Sequence, residues 1–386
     1  MRAGRAVTRV IASLMALASL VGLAPLAAQT PVTVPGTEQF TLTSRHNGVT
    51  YRIDAWLPPG LDTMSIRPPV FVVTDGNMAF HLVHQTYDGL ALSGEVAPLI
   101  VIGVSYPEAD GRGYTPGYVV HRMRDYTPTN LAANPGGGGA RAFLAFLKDE
   151  LLPAAESRWR ADPTRRGLGG HSLGGLFATY ALLHEPALFS RYWIGSPSLW
   201  WDAPLASTWV DSARAGAAKP SGRAFLTVGA QESDVMVPPM RRMAAALTGA
   251  FPTLHVGSQV YPEESHTSVV GPAISRALRF LYGQYGRPSI PLTPVQRNEY
   301  VGDWTAGDLT VRVRPAAGGL TLSITTLGIP ISDRLRAAAR DTLFSAGTIA
   351  SEFVAMRDRA GALVGLRGSL MGRTQEFRRT VTRRGP

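Results

Sequence analysis

The sequence predicts an α/β fold with a mainly parallel central sheet, followed by a small antiparallel β domain. From about residue 38 to residue 285, short apolar runs alternate with amphipathic helical patterns. Apolar runs of this length are typical of strands buried on both faces, and their alternation with helices indicates a parallel sheet covered by helices. After residue 291 the pattern changes to paired alternating segments with short turns between them, which is typical of hairpins.

The individual elements follow from these patterns. The first two strands alternate like antiparallel edge strands, and the later ones are continuous apolar runs. The predicted strands cover residues 40–43, 50–57, 70–74, 99–104, 167–170, 192–195, 224–228 and 253–260. The predicted helices cover residues 77–90, 138–159, 173–185, 236–250 and 269–283. Residues 106–137 are rich in glycine and interrupt this alternation, so we expect a long functional loop there.

The amino-terminal 28 residues are predicted to be a secretory signal. Three arginines (Arg2, Arg5 and Arg9) precede an apolar run over residues 11–23, and small residues lead up to Gln29. The run is short for a membrane span, which favours a cleaved signal over an uncleaved anchor. We therefore expect an exported protein, periplasmic or extracellular after cleavage, without a transmembrane segment in the mature chain.

The carboxy-terminal part is predicted to be a separate domain. Residues 309–313 and 320–324 alternate on either side of a glycine turn, and residues 352–356 and 362–366 do the same. Hairpins of this kind indicate a small antiparallel barrel or sandwich. The prolines after residue 287 suggest a stiff linker, so the predicted domains are 29–291 and 292–386.

The net charge of +10 gives no indication of a nucleic-acid partner. The excess lies in the signal and in residues 292–386, which hold 14 arginines and 8 acidic residues. Residues 29–291 are nearly neutral and contain no dense basic run with interleaved aromatics. The chain has no cysteine, so it has neither a disulfide nor a lipid-anchor thiol.

No cofactor or metal site is predicted. The glycine run 136–139 lacks the Gly-Lys-Ser/Thr ending of a phosphate loop. His81 and His84 are spaced so that they could share a metal ion, but no third ligand follows at a suitable spacing. A packing or capping role is the favoured interpretation of this pair.

The strongest chemical motif is Gly-His-Ser-Leu-Gly over residues 170–174. It follows a short buried strand and opens a helical pattern, which is the context of a nucleophile elbow. The strained turn exposes the Ser172 hydroxyl and places the Leu173 N–H at a helix N-terminus, where it can stabilise an oxyanion. The sequence therefore predicts an α/β-hydrolase fold with Ser172 as the nucleophile.

A serine nucleophile requires an imidazole base, and in this fold the base follows the serine in the chain. His184 ends the helix that Ser172 begins, and His255 lies within a strand. His266 comes just after the last predicted strand, in the position of the catalytic loop. We therefore predict that His266 is the base.

The acid should follow the strand over residues 224–228, where two candidates occur. Glu232 is favoured, Asp234 is the alternative acid, and Asp202 is a weaker option. Either of the first two could instead cap a helix.

Four segments, 70–77, 122–128, 162–175 and 196–201, resemble those of a known family, and the match covers about residues 38–285. This is the esterase family that includes esterase D, feruloyl esterases, mycolyltransferases and siderophore esterases. The resemblance implies that Asn77 or Gly76 gives the second oxyanion N–H. It also implies that Arg122 lies at the mouth of the active site and holds an anionic or oxygen-rich substrate. From Tyr300 onward the tail resembles a small lipocalin-like β domain.

Together these observations predict an exported serine hydrolase that cleaves carboxylic esters of small molecules through an acyl-enzyme. Siderophore-type or other polar esters are the expected substrates. One alternative is acyl transfer to an alcohol by the same triad. A second alternative is a non-catalytic secreted binding protein.

Overall fold

A computed structural model describes residues 33–64, 67–92, 95–107, 115–283, 289–326, 329–345, 351–370 and 373–380. The predicted signal, the first residues of the predicted linker up to residue 288, and residues 108–114 lie outside the described residues. Among the described residues, no helix is both long enough and apolar enough to cross a membrane.

The α/β part contains an eight-stranded sheet. Its strands are β1 Thr37–Thr43, β2 Thr50–Trp56, β3 Val70–Val73, β4 Ile100–Ser105, β5 Arg166–His171, β6 Arg191–Gly195, β7 Gly222–Gly229 and β8 Leu254–Tyr261. They lie in the order β1-β2-β4-β3-β5-β6-β7-β8; β2 pairs antiparallel with β1 and with β4, and the remaining neighbours are parallel. The predicted α/β fold class, antiparallel at first and then parallel, is confirmed.

Helices pack on the sheet and bury its central strands. β3 and β4 are buried at every residue, as expected for strands covered on both faces. The helices are α1 Gly76–Leu92, α2 Pro116–Tyr126, α3 Ala140–Phe146, α4 Leu152–Trp159, α5 Leu173–His184, α6 Ala203–Ala215, α7 Val237–Ala250 and α8 Val270–Tyr282. A π-helical turn, Leu147–Leu151, joins α3 to α4.

Two of these helices were not predicted. The segment 106–137 was expected to be a loop, but it contains α2. Thr115 caps α2 by accepting a hydrogen bond from the Tyr118 N–H, and Pro116 occupies the first turn, where its missing N–H costs nothing. Helix α6 follows the segment 196–201 and was also absent from the prediction.

The carboxy-terminal part is a closed antiparallel barrel of eight strands, which confirms the predicted barrel-like domain. A short helix, α9 Pro294–Tyr300, precedes it where a stiff linker was expected, and a capping box at Thr293 and Gln296 starts this helix. The strands are β9 Gly302–Ala306, β10 Leu309–Ala316, β11 Gly319–Thr326, β12 Ile329–Ala339, β13 Thr342–Ser345, β14 Ser351–Arg357, β15 Leu363–Leu370 and β16 Arg373–Arg379. β16 pairs with β9 and closes the barrel.

The barrel has its own apolar core. Trp304 and Phe377 are fully buried within it, and every described residue of this core lies after residue 291. The two apolar clusters of the α/β part consist of residues before 283. The domain boundary at residue 291 stays a prediction.

Candidate active site

Ser172 lies in the tight turn between β5 and α5. Its φ of 63° and ψ of −119° are rare for a residue with a side chain, and such strain is found at nucleophile elbows. The Ser172 N–H donates to the Gly195 carbonyl over 2.9 Å, which ties the turn to β6. Gly174 packs so closely on Thr74 that a Cβ at this glycine would overlap the threonine hydroxyl. The elbow is thus held against the ends of both neighbouring strands.

His266 lies in the turn after β8 and contacts Ser172. Its Nε2 is 3.0 Å from the Ser172 Oγ and accepts from this hydroxyl when Nδ1 carries the proton. Its Nδ1 donates to the Glu232 carboxylate over 2.6 Å. The Gln231 N–H donates to the Glu264 carbonyl over 3.0 Å, so backbone contacts fix the acid and histidine turns together.

Glu232 is held by three hydrogen bonds. Besides the bond from His266, its Oε1 accepts from the Ser196 hydroxyl over 2.6 Å and from the Gly229 N–H over 2.8 Å. Burial favours the neutral acid, but these donors outweigh it and hold the pKa of Glu232 below its usual value. The carboxylate is therefore ionised at neutral pH and oriented toward the imidazole.

The candidate acids and bases that the sequence left open have different surroundings in the structure. Glu232 contacts His266, whereas Asp234 is exposed in the turn before α7. Asp202 precedes α6, where its carbonyl accepts the Ala206 N–H. Of the other two histidines, His184 contacts the Tyr180 carbonyl and His255 stacks on Phe280.

The predicted oxyanion donors begin the two helices beside the elbow. Leu173 opens α5, and Gly76 and Asn77 open α1 directly after β3, the parallel neighbour of β5. N–H groups in the first turn of a helix face the strand end, so an anion in front of Ser172 meets two positive helix ends. The Asn77 side chain has another role, because its amide binds the backbone N–H and carbonyl of Tyr106 over 2.9 and 3.0 Å.

Arg122 does not lie at an open mouth, as the resemblance implied. It is 6% exposed, and its guanidinium binds both carboxylate oxygens of Asp75 over 2.6 and 3.0 Å. Asp125, in the same helix, pairs with Arg124. The contact of Arg122 with substrate stays a prediction, and the observed partner of its guanidinium is Asp75.

Three residues at the site had no predicted role. Ser196 supports the acid, and the Ser198 Oγ lies 3.4 Å from the Ser172 Oγ. The His171 ring lies 4.6 Å from the His266 ring, centroid to centroid. The sequence could have indicated these residues, because they follow β6 or end β5, and the carboxyl ends of parallel strands meet at the same edge of the sheet.

His81 and His84 contact each other, with Nδ1 of the first 3.2 Å from Nε2 of the second. Within the described ranges, no group of three histidine, aspartate or glutamate side chains is arranged to hold a metal ion.

The sheet order and the strand–turn–helix position of Ser172 define an α/β-hydrolase fold. The sequence profile of the family described as "Putative esterase" matches residues 44–250, more than half of the chain. The chain belongs to this family. The barrel lies after the matched residues.

Two relatives with named activities are similar to part of the chain. Ferri-bacillibactin esterase BesA of Bacillus subtilis is 32% identical over 186 residues, which cover 45% of this chain and 62% of the relative. A siderophore triacetylfusarinine C esterase of Aspergillus fumigatus is 34% identical over 179 residues, covering 45% and 60%. The chain thus spans about six tenths of the length of these two relatives.

Solved structures show the same architecture. The BES protein from Bacillus cereus superposes with a TM-score of 0.60 at 29% identity, covering 66% of this chain and 98% of that one. An IroE-like serine hydrolase from Shewanella oneidensis gives a TM-score of 0.56 at 28% identity, covering 64% and 80%.

Proposed function

We propose that this chain is a serine esterase that hydrolyses carboxylic esters through an acyl-enzyme, with Ser172 as nucleophile, His266 as base and Glu232 as acid. The observation that carries the proposal is the unbroken hydrogen-bond path from the Ser172 Oγ through both nitrogens of His266 to the Glu232 carboxylate, over 3.0 and 2.6 Å. Membership of the esterase family and the relatives' names support the same reaction.

Acylation begins when the Ser172 Oγ attacks the ester carbonyl carbon and His266 Nε2 takes the hydroxyl proton. The carbonyl oxygen becomes an oxyanion, which the N–H groups of Leu173 and of the Gly76–Asn77 turn stabilise. The tetrahedral intermediate then expels the alcohol oxygen, which leaves with the proton from His266. The products of this step are a free alcohol and an acyl group on Ser172.

Deacylation repeats these steps with water. His266 Nε2 takes a proton from water, the resulting hydroxide attacks the acyl carbon, and the same donors stabilise the second oxyanion. When the intermediate collapses, the Ser172 Oγ leaves and recovers its proton from His266. The carboxylic acid departs and the enzyme returns to its starting state.

Glu232 gives the imidazole its orientation and charge partner. Its ionised carboxylate fixes the tautomer that leaves Nε2 free to accept and stabilises the imidazolium formed in both steps. The lowered pKa of Glu232 keeps this role available at neutral and mildly acidic pH.

The proposed substrates are small-molecule esters, with siderophore-type esters as the first natural candidates. Two similar proteins carry siderophore esterase names, which supports this class. Export is also part of the proposal, and it depends on the basic head and apolar run of residues 1–28. Amino-terminal sequencing of the protein from its native cell checks that part separately.

The test compares the wild-type protein with Ser172→Ala on short p-nitrophenyl esters. We expect kcat to fall on the order of 10⁶-fold while the melting temperature stays close to that of wild type. A fluorophosphonate should label wild type on the peptide that contains Ser172, and the variant should stay unlabelled. If the alanine variant kept more than a few per cent of the activity at equal purity, the site assignment would be wrong. Product analysis with added alcohol detects acyl transfer, which would appear as a new ester.

A further inference from the structure

The turn between β3 and α1 carries both candidates for the second oxyanion donor, Gly76 and Asn77, and has an unusual backbone. Asp75, which opens it, has a φ of 56°, in the left-handed region that residues with side chains rarely adopt. Such a conformation is strained and persists only where its surroundings impose it. The contacts of Asp75 therefore indicate what holds the Gly76 and Asn77 N–H groups in place.

Helix α2 supplies those contacts. The Asp75 Oδ1 accepts from the Tyr118 hydroxyl and from the Arg122 Nε, both over 2.6 Å, and Oδ2 accepts from the Arg122 Nη2 over 3.0 Å. The Asp75 N–H donates to the Tyr126 hydroxyl over 3.0 Å. We call Asp75, Tyr118, Arg122 and Tyr126 the turn clamp.

The same arginine reaches the nucleophile turn. Its Nη2 lies 3.5 Å from the carbonyl oxygen of His171, the residue directly before Ser172. The guanidinium carbon lies 5.6 and 5.8 Å from the ring centres of Tyr118 and Tyr126, so both rings enclose the cation. One buried cation thus links the oxyanion turn to the nucleophile turn.

The opposite side of the turn is fixed against β4. A Cβ at Gly76 would lie 2.8 and 2.9 Å from the backbone of Gly103 and Val104, so only glycine allows this approach. The Asn77 amide binds the Tyr106 backbone at the end of the same strand. The turn is therefore set between β4 on one side and the turn clamp on the other.

We propose that Asp75 and Arg122 are positioning residues that hold the oxyanion turn at its working distance from Ser172. This inference rests on the proposed function, since it gives a role to the turn only if an oxyanion forms in front of Ser172. An error of about 1 Å in such a donor costs about 10²-fold in rate, and stabilisation of the oxyanion is expressed in kcat. Loss of one partner also leaves the other charge buried and unpaired, so the turn moves to satisfy it.

A contact of Arg122 with substrate makes a different prediction. Binding to an anionic substrate would appear as a rise in KM for anionic esters alone. The turn clamp instead predicts a fall in kcat for charged and neutral esters alike. The two roles are separable with p-nitrophenyl acetate and p-nitrophenyl hemisuccinate.

The experiment uses the full chain with Asp75→Asn, Arg122→Lys and the milder Tyr118→Phe, which removes one hydroxyl and keeps the ring. Arg166→Lys is the matched control, since Arg166 pairs with Glu156 over 2.6 Å in a half-buried ion pair at the other end of β5. Each variant is measured for kcat, KM, melting temperature and affinity for a phenylboronic acid. Boron bonded to the Ser172 Oγ gives a tetrahedral anion that requires the same donors.

We expect kcat on both esters to fall between about 10- and 10²-fold in Asp75→Asn and Arg122→Lys, with KM changed less than about twofold. Affinity for the boronic acid should fall by the same factor as kcat, and Arg166→Lys should match wild type in both. If Asp75→Asn does not fold, Tyr118→Phe is the deciding variant, and we expect its kcat and its affinity for the boronic acid to fall severalfold.

Two results would overturn the turn clamp. The first is a loss confined to KM for the hemisuccinate. The second is unchanged affinity for the boronic acid in variants that remain folded, including Tyr118→Phe. Failure of the proposed function looks different: wild type would then bind no boronic acid and hydrolyse neither ester, or Ser172→Ala would remain active.

Discussion

His171 should make the protein lose stability as the pH falls below 6.5, and His171→Phe should remove that loss. Both ring nitrogens of His171 are buried. Burial, reinforced by the neighbouring His266, lowers the pKa of His171 from 6.5 to about 3. The unfolded chain therefore binds a proton below pH 6.5 that the folded chain does not.

The size of the effect follows from this difference in protonation. For each pH unit below 6.5, the free energy of unfolding falls by about 1.4 kcal/mol until the pH reaches the pKa of His171 in the folded state. At pH 5 the loss due to His171 is about 2 kcal/mol, and it tends to about 5 kcal/mol near pH 3, where folded His171 also takes up a proton. Phenylalanine keeps a ring beside His266 but binds no proton, so the variant should lack this part of the loss.

Urea unfolding at pH 7 and pH 5, followed by tryptophan fluorescence, measures the difference for wild type and for His171→Phe. His84, whose pKa is also lowered by burial, is present in both proteins and cancels in the comparison. The control is His255→Phe, the same substitution at an exposed histidine. If wild type and His171→Phe lost the same free energy of unfolding between pH 7 and pH 5, folded His171 would be protonated like the unfolded chain, and the argument from burial would fail.

The remaining predictions concern the base, the acid and the barrel. His266→Ala should lower kcat as much as Ser172→Ala does. Glu232→Gln should lower kcat by about 10³- to 10⁴-fold, because the acid mainly orients and stabilises the imidazolium; if Asp234→Asn lowered kcat more than Glu232→Gln, the acid would be reassigned. A chain that ends at Arg287 should be soluble and keep its kcat on small esters, because the described residues of the barrel core and of the α/β core are separate sets. Limited proteolysis followed by activity and melting measurements tests this, and an insoluble or inactive fragment would mean that the two parts fold as one cooperative unit.

The parallel sheet and the position of Ser172 could be predicted because they depend on local patterns. Strands such as β3 and β4 are buried at every residue and appear as short apolar runs rich in β-branched residues, which favours a buried strand over a helix. The glycines around Ser172 indicated a strand-to-helix turn for the same reason. The choice of acid was not local, because it depends on where the turns after β7 and β8 meet.

Helix α2 was missed because its buried face is polar. Tyr118, Arg122, Asp125 and Tyr126 are all buried in it, and charged residues at buried positions hide the apolar period that identifies a helix. Arg122 is satisfied by Asp75, which is distant in sequence, and Asp125 accepts from the hydroxyls of Tyr51 and Tyr106 as well as from Arg124. The contacts between distant residues are visible only in three dimensions, so the sequence pattern suggested a loop.

Half of the barrel strands were also missed. β12 contains Asp333, Arg334 and Arg336 among its residues, and β13 has only four residues. In a barrel, a strand needs only alternate apolar positions toward the interior, and a short or strongly charged strand gives a weak alternation. Closure of the barrel through the pairing of β16 with β9 is a long-range contact, for which local patterns contain no information.

Backbone strain in this chain is concentrated at the proposed catalytic edge. Five non-glycine residues of the described part have a positive φ: Asp75, Arg160, Ser172, Ser196 and Glu263. Three of them directly follow the carboxyl ends of β3, β5 and β6 or lie one residue beyond, and Glu263 lies three residues before His266. Strain of this kind is retained where the surrounding contacts impose it. Such contacts are present at this edge of the sheet: Asp75 is held by α2, Ser172 by the Gly195 carbonyl, and Ser196 by Glu232. Because three of the five strained residues lie at the strand ends beside Ser172, the backbone conformation supports the proposed location of the site alongside the sequence motif.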